Sequence, residues 1–387
     1  MKMMRYLKYT LLCFFFLQIA LTAIGQTKYF PPRNQWEEKT PREAKMNADQ
    51  LGKAVQFALD NEYSGDRDLK IAILKGFARE PYHYIAGPVK ERGGPAGVVI
   101  RNGYVVAKWG DLDRVEMTFS VTKSYLSTMA GLAYDRGLIA NTDDKVGKYV
   151  WDGTFQGRHN SKVSWDHLLT QSSDWSGELF GMKDWADRPP REGGIVDWKD
   201  RDLREPGTVF EYNDVRVNVL SYSLLQVWRK PLPVVLKEQL MDRIDASSTW
   251  RWFGYDHAWV NVDGQKVQSV TGGGHSGGGV FINTLDHARF GLLFLNDGQW
   301  NGQQLISKKW IDKAVTSSVA NERYGYMWWL NKGQNVWKGF SEEVYYAAGF
   351  GGNFIVVDKE HDLVVVTRWL EPSKLQEFME LLGTAIK

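Results

Sequence analysis

The chain has 387 residues, 48 basic and 46 acidic side chains and a formal net charge of only +2, which argues against a protein that binds nucleic acid through phosphate contacts. Its 43 % hydrophobic and 24 % charged residues describe a globular protein with a full core and exclude a disordered one. Seventeen tryptophans are an unusual load, to be used in the core or in an aromatic-walled cleft.

Residues 1–25 read as a secretory signal. Lys2, Arg5 and Lys8 form a basic start, Leu11 to Ala23 is apolar apart from Gln18 and Thr22, and Ala23-Ile24-Gly25 supplies the small residues a signal peptidase needs. The expected mature chain starts at Gln26, is periplasmic or secreted, and has no membrane span. An uncleaved N-terminal anchor is the alternative, although the run is short of the about 20 apolar residues of a span. Cys13 is the only cysteine and lies in this run without a lipobox, so the mature chain lacks disulfides, thiol nucleophiles and thiolate metal sites. Removing three basic residues takes the net charge from +2 to −1.

Residues 26–46 contain Pro31, Pro32 and Pro41 and read as an arm. A helix is predicted from about Asn47 to Asp60. Val98-Val99-Ile100 and Tyr104 to Trp109 flank Asn102-Gly103, the dipeptide of tight type I′ hairpins. Another helix should begin near Ser120, with Tyr125, Leu126, Met129, Ala130 and Ala133 at helical spacing and Gly137 as C-cap. Residues from about 140 to 260 are loop-rich and Trp-rich with short helical patterns, and Pro189-Pro190 and Gly193-Gly194 mark a long loop. A helix follows over 285–296, then strands over Phe354 to Asp358 and Leu363 to Arg368, and a last helix from about Ser373 to Ala385. The expected fold is mixed α/β (α+β): a central antiparallel sheet built from both chain ends, flanked by helices, within one domain, 47–387, whose mostly helical lobe spans about 140–260.

Two serines compete as nucleophile. Ser120-Val121-Thr122-Lys123 is the only S-x-x-K in the chain, and a helix starting at Ser120 places Lys123 one turn later on the same face. A neutral lysine there can take the serine proton during attack on a carbonyl, and the helix N-terminus adds positive potential. By itself the pattern reads more readily as a helix cap followed by a surface lysine, because S-x-x-K is short and serine is a common cap. Gly274-His275-Ser276-Gly277-Gly278 fits the G-x-S-x-G nucleophile elbow, which requires a helix straight after; Gly279 to Ile282 looks extended instead.

Ser120 has company. Phe119-Ser120-Val121-Thr122-Lys123-Ser124 resembles the first motif of the serine β-lactamase and penicillin-binding-protein superfamily. Gly137-Leu138-Ile139 with Asp143-Asp144-Lys145-Val146 resembles the segment after that helix, and His167 to Ser173 is similar to its "HLLTHTSG" stretch. Pro206 to Asn213 is similar to "PGxxFxYSN", Gly272 to Asp286 to the glycine-rich segment before a family helix, and Ala347 to Gly352 stands in place of the K-T-G-like motif. Six motifs in family order, from about residue 95 onward, are a specific match. The 6-aminohexanoate-dimer hydrolases and the class-C-like (family VIII) carboxylesterases look closest.

The resemblance implies a β-lactamase/DD-peptidase-like fold and a hydrolase that cleaves an ester or linear amide of a small molecule through an acyl-enzyme at Ser120. Lys123 and Tyr212 would share its proton, Tyr212 acting as base beside the ammonium. The backbone N–H groups of Ser120 and Phe350 would form the oxyanion hole, with Gly349 and Gly351 allowing close approach and Asn213 and Asp214 as substrate-binding candidates. Asp214 occupies the third place of the usual Y-x-N; either Asn213 takes the amide role, or Asp214 faces Lys123 and makes it the poorer base. Ala347 replaces a Lys or His and argues against efficient β-lactam or D-peptide cleavage. A D-peptidase or weak β-lactamase, or a catalytically silent binding or sensor module of the same fold, are the other readings. No cofactor or metal is implied, as no His pair has metal-ligand spacing and no dinucleotide or P-loop pattern occurs. The Trp165, Trp175, Trp185, Trp198, Trp250 and Trp252 group could wall a cleft or pack the lobe.

Overall fold

Residues 28–81, 83–190, 194–333 and 336–386 are described by the computed structural model. The signal expected over 1–25, with Cys13, lies outside the described residues. Among the described residues no helix is long and apolar enough to cross a membrane.

The arm folds against the body. Tyr29 stacks on Tyr104 with ring centroids 4.5 Å apart, Trp36 Nε1 donates to Gly103 O at 2.8 Å, and Arg289 donates to Pro32 O at 2.7 Å. Helix α1 (Ala48–Asp60) starts where Asn47 Oδ1 accepts from the backbone of Asp49 and Gln50, and it buries Leu51, Ala54 and Ala58. Helix α2 covers Leu69–Gly76. Strands β1 (Ala96–Arg101) and β2 (Tyr104–Trp109) form the expected hairpin; Asn102 and Gly103 both have positive φ, 52° and 84°, as a type I′ turn requires. The short strand β3 (Glu116–Met117) leads into helix α3 (Thr122–Asp135), whose residues from Thr122 to Ala133 are all buried. An amphipathic helix would leave one face wet; this one is enclosed on every side.

Helix α4 (Asp214–Trp228) packs beside α3. Strands β4 (Arg251–Val262), β5 (Gln265–Val270) and β6 (Gly279–Ile282) follow, then helices α5 (Thr284–Leu295) and α6 (Lys308–Ala314), strands β7 (Trp329–Leu330), β8 (Tyr345–Gly349), β9 (Asn353–Asp358) and β10 (Leu363–Arg368), and helix α7 (Leu375–Gly383). The main sheet is antiparallel throughout, in the order β7-β8-β9-β10-β1-β2, with Val98 opposite Val366. Both chain ends therefore build it. A second sheet has the order β3-β6-β4-β5.

Helix α5 lies so close on the main sheet that a Cβ at Gly291 would sit 2.6 Å from Val364 and 2.9 Å from Ile355. On the other face α1 and α7 close a second apolar layer with Val99, Val356, Val365 and Phe378. The middle region holds more strand than its helical patterns suggest. Asp263 and Gly264, both at positive φ, turn β4 into β5. The tryptophans mostly fill the core: Trp165, Trp310, Trp328 and Trp369 are fully buried, and Trp175, Trp250 and Trp252 nearly so.

Candidate active site

Ser120 stands in a single 3₁₀ turn, Phe119–Val121, immediately before α3. Phe119 has φ 47°, a left-handed conformation for a bulky residue, so the surroundings must hold this turn. They do so from two sides. Arg368 of β10 donates to Thr118 Oγ1 at 3.1 Å and to Asn353 Oδ1 at 3.0 Å, and His287 of α5 lies 2.6 Å from the same threonine oxygen.

Lys123 follows one turn later with 1 % of its surface exposed. Its Nζ donates to Ser120 Oγ at 2.8 Å and lies 2.7 Å from Asp214 Oδ1. Tyr212, just before α4, presents its ring 5.0 Å from Lys123 Nζ and 5.1 Å from the Arg188 guanidinium. Strand β8 closes the other wall: a Cβ on Gly349 would fall 2.3 Å from Thr118 O and 3.4 Å from Ser120 N, an approach only glycine permits. The chain then turns at Phe350 and Gly351, the latter at φ 75°, where a side chain would strike Trp369. Phe350 packs on Phe119 with centroids 5.1 Å apart. Ser120, Tyr212, Gly349, Phe350 and Gly351 line one cleft of about 490 Å³, walled by Phe77, Trp329, Tyr346 and Phe354.

Behind the cleft lies a buried ionic network. Asp214 bridges Lys123 and Arg188, whose Nη2 reaches Asp214 Oδ2 at 2.7 Å and whose Nη1 reaches Asp187 Oδ2 at 2.9 Å. His275 places Nδ1 3.2 Å from Asp214 Oδ2 and Nε2 2.6 Å from Glu80 Oε2, and stacks on Phe77 at 3.9 Å. Three carboxylates (Glu80, Asp187, Asp214) thus face three cationic groups (Lys123, Arg188, His275). Burial opposes each charge, and the partners decide the outcome. Burial would lower the Lys123 ammonium, but Asp214 and then Tyr212 outweigh it and hold it above the ordinary lysine value. Burial would raise Asp214, but Arg188, Lys123 and His275 keep it well below the carboxylate range. Burial would lower His275, yet its hydrogen bonds to Asp214 and Glu80 lift it to about 9. Asp187 is raised by burial against the pull of Arg188. These contacts favour the ammonium form of Lys123, which donates to Ser120 Oγ.

The sequence-derived residues fall into two sets. Ser120, Lys123, Tyr212, Gly349, Phe350 and Gly351 converge on the cleft, and Asp214 lies beneath it, facing Lys123. Asn213 does not reach the cleft. It is fully buried, its Oδ1 caps α4 by accepting from Arg216 N at 3.0 Å, and its Nδ2 donates to Asp184 O at 2.8 Å. That corrects its candidacy for substrate binding: a helix cap consumes the side chain. Gln171 positions this segment, its Oε1 accepting from Asn213 N at 2.9 Å. Ser276 sits in a glycine turn that runs into strand β6 rather than a helix, so the elbow is absent. Among the middle-region tryptophans none lines the cleft; Trp329 does. Glu80, Arg188 and His275 are contacts that chain order does not show. A larger groove of about 890 Å³, with Lys308, Lys309 and Lys313 on its rim, contains none of these groups, and the chemistry favours the smaller cleft.

The profile of the Beta-lactamase family matches residues 83–368, most of the chain, including every residue of this constellation but Phe77 and Glu80. The chain belongs to the Beta-lactamase family. Solved structures agree on the fold. A Bacteroides dorei protein assigned as a β-lactamase superposes with a TM-score of 0.61 at 15 % identity, covering 88 % of this chain and 99 % of its own. A Bacillus anthracis protein assigned as a 6-aminohexanoate-dimer hydrolase gives 0.52 at 14 %, covering 92 % and 97 %. A family VIII carboxylesterase gives 0.55 at 16 %, covering 87 % and 96 %. The family's structural neighbours thus include esterases and amidases on this scaffold.

Proposed function

We propose that the protein is a serine hydrolase that cleaves esters or linear amides through an acyl-enzyme on Ser120. The observation that carries this reading is the contact of Lys123 Nζ with Ser120 Oγ at 2.8 Å, at a helix start that opens into the cleft beside Tyr212. Because Lys123 is held protonated, its role is to orient Ser120 and stabilise the developing alkoxide. Tyr212, flanked by two cations, serves as the base, takes the Ser120 proton and returns it to the leaving group. A water then attacks the acyl carbonyl with Tyr212 again as base. The backbone N–H groups of Ser120 and Phe350 receive the carbonyl oxygen.

Esters and linear amides are favoured over β-lactams because Ala347, at the place of the usual cation, faces the core rather than the cleft. The leader pattern of residues 1–25 supports export to the periplasm or medium. Turnover of 4-nitrophenyl acetate, together with labelling by a fluorophosphonate probe, tests the assignment. Both are expected in the unmutated protein and in Ser276→Ala, and neither in Ser120→Ala. Labelling that survives Ser120→Ala would overturn it.

A further inference from the structure

A tyrosine that carries protons must hold its oxygen in place, yet among the described residues the Tyr212 hydroxyl makes no hydrogen bond. Its position is set by the backbone that carries it and by the rings around it, and both lead to Gln171. The main-chain oxygen of Gln171 accepts from Glu211 N and its Oε1 accepts from Asn213 N, each at 2.9 Å, so one residue grips the peptide on either side of Tyr212. The other end of the same amide donates from Nε2 to Tyr324 Oη at 2.8 Å. Tyr324 is buried and sets its ring edge-on to Tyr212, with centroids 6.4 Å apart, and to Trp329 at 4.8 Å. Trp329 in turn stacks on Tyr212 at 6.0 Å.

Gln171 is itself tightly determined. It is buried with φ 54°, a left-handed conformation that costs free energy for a residue with a Cβ and persists only where the surroundings fix it. Its amide uses an acceptor and a donor at once, and does so without titrating. It does not line the cleft, so its effect on the reaction passes through Tyr212. We propose that Gln171 is the positioning residue of Tyr212, tying its backbone and its aromatic wall to one amide and so keeping the phenol beside Ser120 and Lys123. This rests on the hydrolase reading above. The Tyr212 ring lies 5.0 Å from Lys123 Nζ. A misplacement of about 1 Å at such range costs a reaction about 10²-fold.

The test is a double-variant cycle on 4-nitrophenyl acetate. Gln171→Met keeps the length of the side chain and removes both of its hydrogen bonds; it is expected to lower kcat about tenfold or more and to leave KM within about twofold. In the Tyr212→Phe background the same change is expected to cost less than about twofold, because its target is gone. Gln171→Glu still accepts from Asn213 N and is expected to recover most of kcat. A merely structural glutamine would lower kcat equally in both backgrounds, or raise KM, and either result overturns the proposal. A fluorotyrosine at position 212 reads placement without turnover: its fluorine NMR line is expected to move or broaden in Gln171→Met and to return towards its native position in Gln171→Glu. If Gln171→Met loses its native far-UV circular dichroism, Tyr324→Phe, which frees only the far end of the amide, replaces it in both measurements with the same directions expected. An unmoved line overturns the proposal whatever the fate of the hydrolase reading. A line that moves in a protein that turns over no ester overturns the hydrolase reading and leaves Gln171 holding Tyr212.

Discussion

Replacing Asp214 by Asn is the most informative perturbation of the buried network. The carboxylate touches Lys123, Arg188 and His275 at 2.7, 2.7 and 3.2 Å; Asp214, Lys123 and His275 are buried, and Arg188 is partly exposed on the cleft. In the native protein three carboxylates balance three cations. Asp214→Asn leaves two against three, and an uncompensated buried charge costs about 3–5 kcal/mol. His275→Gln removes one cation and keeps a donor for Glu80, so the double variant returns to two against two. Its loss should fall short of the sum of the single losses by about 0.5–3 kcal/mol, the range for groups in one network. The assay is urea unfolding at pH 7, where His275 carries its proton, followed by tryptophan fluorescence for the native protein, both single variants and the double. A loss below about 1 kcal/mol in Asp214→Asn, or strict additivity in the double variant, would refute the view that charge balance organises this site.

Three other outcomes are expected. Tyr212→Phe should lower kcat on 4-nitrophenyl acetate by about 10²–10⁴ with little change in KM, because it removes only the proton carrier; a loss below tenfold would transfer the base role elsewhere. Gly349→Ala puts a methyl 2.3 Å from Thr118 O, so the strand must retreat from Ser120, and a loss of about 10² or more in kcat is expected with native far-UV circular dichroism; full activity would detach β8 from the site. His275 has a folded pKa of about 9 against an ordinary 6.5, so its stabilisation is complete below about pH 6.5 and fades as pH rises through 9. The loss, at most about 3 kcal/mol, should appear in unfolding midpoints across that window and be absent from His275→Gln; an unchanged slope would exclude His275 as its source.

The chain announces Ser120 and Lys123 more plainly than what supports them. Ser120 and Lys123 are three residues apart, so helix geometry alone predicts their meeting. Asn102-Gly103 names its own turn. Asp263-Gly264 carries the same kind of signal, but the Trp-rich stretch before it mixes buried and exposed residues irregularly along β4, which hides the strand period. Asn213 shows the limit of motif reading: next to Tyr212 in the family motif it looks like a substrate ligand, while its side chain caps the following helix. Arg188, Glu80 and His275 come from segments separated by about a hundred residues each. No local pattern links them, and only the packing of α4 against the glycine-rich turn before β6 brings them to Asp214.

The sheet built from both ends also sets a timetable. Val98 pairs with Val366, and Arg368 on the same strand as Val366 steadies Thr118 beside Ser120. A ribosome releases β1 and the serine turn long before β10 exists, so during synthesis the early strand has no partner on that edge and the serine turn lacks one of its two props. Long-range pairings of this kind make folding slow and expose unpaired strands in the interval. The geometry around Ser120 is thus completed only when the final strand is delivered.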